Sequence, residues 1–136
     1  MKSRKAHIAG IGETRYARWG KIGDVTEHAL ALEAITRAVA DAGLTVDDVD
    51  GLASFADDRN EAIYLAAELG LPALRFGNMV WMPGGGGGCA AVGNAAMAVE
   101  TGQACAPSAN AGAHSKRMLP FAVPMLIGTA LVLATL

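Results

Sequence analysis

Among the residues able to do covalent chemistry, Cys89 stands in the most suggestive place: it follows five consecutive glycines, Gly84–Gly88, and leads an apolar stretch of helical character. A thiol in the first turn of a helix is acidified by unpaired N–H groups and the positive dipole end, and the thiolate is the nucleophile. A side-chain-free run also lets backbone amides approach a ligand and favour a developing negative charge. The same run reads equally well as a plain surface loop. It is not a phosphate-binding P-loop, because Cys89–Ala90 replaces the required Lys and Ser or Thr. Cysteine catalysis further needs a base within hydrogen-bond reach. His7, His28 and His114 stand in no motif, and His28 reads as a surface residue near the start of a helix. By residue types alone, Cys89 is more simply a small buried cysteine among alanines.

The remaining constellations are weaker. Gly10–Ile11–Gly12 follows a strand, but Arg15 stands where a dinucleotide fingerprint needs its third glycine. Asp47, Asp48, Asp50, Asp57 and Asp58 lack the glycine and glutamate of a calcium loop and read as caps and solvated turns. Cys89 and Cys105 give neither a disulfide framework nor metal-ligand spacing, so no metal is expected and the cytoplasm is the default compartment. Lys2, Arg4, Lys5, Arg15, Arg18 and Lys21 read as a solvated surface.

The elements that must position these residues follow from periodicity. Ala6–Ile11 reads as a strand, and Glu13–Gly23 as a loop. Asp24 and Glu27 suggest a capping box opening a helix whose apolar face is Val25, Ala29, Leu32, Ile35, Val39 and Ala42, closed by Gly43. A single turn at Thr45–Asp48 leads to a strand at Leu52–Phe55. A helix over Asn60–Leu69 stops at Gly70, Leu74–Phe76 is a short strand, and Met79–Gly88 is a loop. Cys89–Thr101 is a third helix, stopped by Gly102. Alternation of this kind predicts an α/β layer with a mostly parallel sheet and flanking helices.

The chain has 136 residues, net charge -2, 52% hydrophobic and 18% charged content. That is one modest domain, too apolar for disorder and without the charge excess that attracts nucleic acid. After Gly102 the pattern fails. Leu119–Leu136 is apolar and uncharged, but at 18 residues with Pro120 and Pro124 it is a poor membrane span.

Several ordered segments resemble the thiolase superfamily, in the branch described as lipid-transfer or sterol-carrier-protein-type thiolases. They are Ala6–Thr14 (AHIAGIGET), the helix end Ala40–Leu44 (ADAGL), Val46–Leu52 (VDDVDGL), Glu68–Pro72 (ELGLP), and the glycine run leading to Ala96–Ala104 (AMAVETGQA). The resemblance implies a partial thiolase-like layered fold over residues 1–104, with 105–136 a divergent, aberrant tail from a frame change or a truncated gene model. It further implies an acyl-CoA or sterol-CoA thioester as substrate or ligand, with Gly84, Gly85, Gly86, Gly87 and Gly88 as its loop. The family is usually dimeric, and some members pair with a zinc-ribbon and OB-fold partner. In the family register the nucleophile falls on Gly85, and Cys89 lies one turn too deep to replace it. The resemblance therefore implies a protein of acyl-CoA and lipid metabolism that is inactive in acyl transfer by itself. The alternative it leaves open is a subunit or fragment of a retro-aldolase acting on CoA-linked steroid side chains, or a non-catalytic acyl-CoA binder.

Overall fold

A computed structural model describes residues 5–18, 21, 23–55, 60–81 and 86–104, together with the backbone of 117–122 and 129–135. The first strand, β1 (Ala6–Glu13), runs two residues beyond its apolar stretch. Helix α1 (Glu27–Asp41) starts later than the Asp24 signal implies, because the Thr26 hydroxyl accepts the Ala29 N–H at 3.1 Å and caps it. Its buried face is Leu30, Ala31, Ala34, Ile35, Ala38 and Val39. The expected stripe shared only Ile35 and Val39, since the helix turns its alanines inward to meet glycines of β1.

A 3-10 turn over Val46–Asp48 then feeds β2 (Val49–Phe55), whose seven residues are all buried. Helix α2 (Ala62–Leu69) ends at Gly70, at φ 69°, in the left-handed conformation that suits glycine. The third strand, β3, is Phe76–Val80, so Met79 and Val80 belong to a strand and not to the expected loop. Helix α3 (Gly86–Thr101) closes at Gly102, at φ 76°.

Two further strands, β4 (Arg117–Ala122) and β5 (Thr129–Thr135), come from the stretch whose pattern fits no element. The sheet order is β1-β5-β4-β2-β3. β2 pairs in parallel with β3 and β4, while β5 is antiparallel to both β4 and β1. Four strands therefore run one way and only β5 opposes them. Helices α1 and α2 share one core with Val49 and Leu52, whereas α3 packs through Ala95, Ala98 and Val99 on Ala53. Because Leu52 and Ala53 point to opposite faces of β2, α3 lies across the sheet from the other two helices.

Candidate functional site

The glycine run divides. Gly84 and Gly85 lie outside the described residues, while Gly86–Gly88 form the first turn of α3, where a loop was expected. Each helical glycine costs about 1 kcal/mol relative to alanine. The helix forms nonetheless because Ala91, Ala95, Ala98 and Val99 are buried further along it, and tertiary packing outweighs propensity. The first-turn amides have no intrahelical acceptor, and here they carry no side chains. This end of α3 therefore carries the positive end of the helix dipole, with no side chains on Gly86–Gly88.

Cys89 is the fourth residue of α3 and is exposed, which corrects the expectation of a buried cysteine. Helical geometry gives the reason. Gly87 and Ala91 are buried, and Cys89 lies two residues from each, about 200° around the axis. Its own amide is the last of the four that open the helix, so Cys89 stands at the end of the first turn and not at its start. Nor is a histidine brought to it: His28 is on α1, on the other side of the sheet, and His7 is an exposed residue of β1. His114 and Cys105 lie outside the described residues. Near the start of the chain, a hydrogen bond to Glu13 raises the pKa of the exposed Tyr16, so that phenol stays protonated near neutrality.

Three polar arrangements were not apparent from the sequence. Asn94 Nδ2 donates to Asn78 Oδ1 at 2.8 Å, tying the middle of α3 to β3. The only signal for it was an asparagine, which disfavours helix interiors, standing among alanines. Asp50, read as a solvated turn, is fully buried in β2, with Arg75 Nε 3.8 Å from its carboxylate. The Arg75 N–H also donates to the Asp50 carbonyl at 2.7 Å, which joins the segment before β3 to β2. Asp48 does cap as expected, accepting from the Thr45 amide at 3.1 Å, whereas Asp57 and Asp58 lie outside the described residues. His28, finally, is half-buried and bonded to Asn60 and Glu68. Among the described residues no group of His, Cys, Asp and Glu is arranged to hold a metal, and no helix is long and apolar enough to cross a membrane.

No family model matches the chain. Solved structures define its class. The Ltp2–ChsH2(DUF35) aldolase superimposes with TM-score 0.71 at 36% identity, over 88% of this chain and 28% of that one. A priming β-ketosynthase of a polyketide biosynthetic pathway gives TM-score 0.71 at 18% identity, over 98% of this chain and 51% of that one, a likeness of fold alone. The chain has a thiolase-like fold.

Curated sequences are more particular. The chain is 46% identical over 97 residues to a steroid side-chain-cleaving aldolase of Thermomonospora curvata, covering 71% of this chain and 24% of that protein. It is 45% identical over 104 residues to a 17-hydroxy-3-oxo-4-pregnene-20-carboxyl-CoA lyase of Mycobacterium tuberculosis, covering 76% and 26%. The chain thus spans about a quarter of the length of the curated relatives it matches.

Proposed function

We propose that this chain is the N-terminal α/β unit of a thiolase-like protein that cleaves CoA-linked steroid side chains by a retro-aldol reaction. The observation that carries the reading is its 45–46% identity to two steroid side-chain lyases over 97 and 104 residues. The site chemistry agrees with it. In a retro-aldol cleavage a hydroxyl proton leaves, a carbon–carbon bond breaks, and the electron pair becomes the enolate of the thioester. No acyl-enzyme forms, so no thiol is needed, and the glycine at the family's nucleophile position, Gly85, is no handicap. A developing enolate oxygen is the charge that bare helix-terminal amides stabilise. Gly84–Gly88 are accordingly assigned to the CoA thioester, and the groups that move the hydroxyl proton to parts of the protein beyond this α/β unit.

In the same reading residues 1–104 are the inherited unit, and 105–136 diverge from it in sequence while supplying two strands. The name Ltp2–ChsH2(DUF35) couples two components, which supports a partner protein, and the resemblance to the family implies one of the zinc-ribbon and OB-fold type. A homodimer is supported by the uncharged residues of β3 at the outer edge of the sheet. A cytoplasmic setting fits the cysteine usage.

Calorimetry with a steroid side-chain CoA thioester, followed by rapid mixing with acetoacetyl-CoA, tests the proposal. Binding of the steroid thioester without a burst of free CoA is the expected result. A burst abolished by Cys89→Ala would restore acyl transfer through the thiol, and failure to bind any CoA ester would remove the site.

A further inference from the structure

Helix α2 is only eight residues long and buries just Leu65 and Ala66, so little apolar surface holds it down. A polar tie supplements that packing. The imidazole of His28, in the first turn of α1, lies between Asn60, immediately ahead of α2, and Glu68, in the last turn of α2. Its Nδ1 is 3.2 Å from Asn60 Oδ1, and its Nε2 is 3.1 Å from Glu68 Oε2. Asn60 is 2% exposed, which fixes that end, whereas the Glu68 side chain is 62% exposed.

Both atoms facing the ring are oxygens that can only accept. A neutral imidazole carries one N–H and can satisfy one of them; the imidazolium donates to both. We propose that His28 is a proton-operated clamp that holds both ends of α2 against the first turn of α1. Glu68 is the charged group facing the ring from α2, and Asn60 is uncharged. Among the described residues, the charged neighbours in sequence of these three are Glu27 on α1 and Glu61 ahead of α2. The clamp is complete while the ring is protonated. When the ring gives up its proton, one bond is lost and α2 loosens.

Amide hydrogen exchange on the full chain, corrected for intrinsic rates, tests this. Protection of the amides at residues 65–69 is expected to be two- to fivefold weaker at about pH 8 than at about pH 5.5, the scale of a partly exposed ion pair. Protection at residues 95–99 of α3 serves as the internal reference and stays constant. His28→Ala removes the difference, and Glu68→Gln reduces it. A wild-type ratio that does not change with pH overturns the proposal, since Asn60 then presents its amide nitrogen to a neutral ring. A pH dependence that survives in His28→Ala overturns it as well.

Discussion

Gly10 and Gly12 hold β1 against α1 because they have no side chain. A Cβ on Gly12 would run into the carbonyl oxygen of Ala34 and the amide nitrogen of Ala38, and one on Gly10 would meet the Ala42 amide at 2.7 Å. These are helix backbone atoms, which cannot rotate aside. Gly12→Ala is therefore expected to destabilise the fold by about 3 kcal/mol, the upper end of ordinary overpacking costs. Gly93, on the exposed side of α3, is the opposite case. An added Cβ there meets nothing within 4 Å, so Gly93→Ala should stabilise by about 0.5–1 kcal/mol through helix propensity and a less flexible unfolded chain. Denaturant unfolding of both variants decides the matter, and comparable midpoints would show that β1 and α1 are not in close contact. The glycine pair was conspicuous in the sequence, but its purpose was not. Dinucleotide binding and close packing both call for small residues after a strand, and only the position of α1 separates them. Cys89 was likewise conspicuous, and its exposure was hidden because the true start of α3 lay three residues upstream, inside the glycine run.

At the scale of the element, helix ends were more legible than helix starts. Gly43, Gly70 and Gly102 all adopt positive φ after the helices they were expected to close. Left-handed backbone selects glycine strongly, whereas starts accept several residues and leave the choice to local geometry. Asp24 and Glu27 carried the expected start signal, but the hydroxyl of Thr26 is the group that bonds a first-turn amide. Thr26→Ala should accordingly cost about 1 kcal/mol, while Asp24→Ala stays within a few tenths. If thermal unfolding ranks the two the other way, the helix begins at the aspartate. α3 was harder to place because glycines argue against a helix locally, and its anchorage comes from alanines buried one to three turns later.

For the whole molecule, the parallel core formed by β2 and β3 follows from alternation of elements, but the completed sheet does not. β4 and β5 pair between β1 and β2, from a stretch that alternates with nothing and places Pro120 inside β4. Strands in the middle of a sheet lose polar alternation, and a proline withholds a ladder donor, so both usual signals were missing. The finished sheet has two outer edges, and they are treated differently. On β1 the Ile11 amide donates to Asp41 at 2.9 Å, the Ala6 amide to Glu100 at 3.3 Å, and Arg37 donates to the Glu13 carbonyl at 2.7 Å. On β3 the described residues show no such caps. Phe76–Val80 carries no charge and runs into Trp81, which is 84% exposed. An uncharged edge of this kind templates pairing with another strand, and two copies related by a two-fold axis can pair the same segment antiparallel. The chain is therefore expected to be dimeric by size-exclusion chromatography with light scattering. Lysine at an edge opposes such pairing, and Gly77 can accept one. A Cβ there makes only ordinary contacts, 3.6 Å to Ala62 and 3.7 Å to Leu74, and its φ is not positive. Gly77→Lys should shift the mass towards the monomer by at least tenfold in dissociation constant, with an unchanged far-ultraviolet spectrum. A variant that keeps both spectrum and mass would place the dimer contact away from β3.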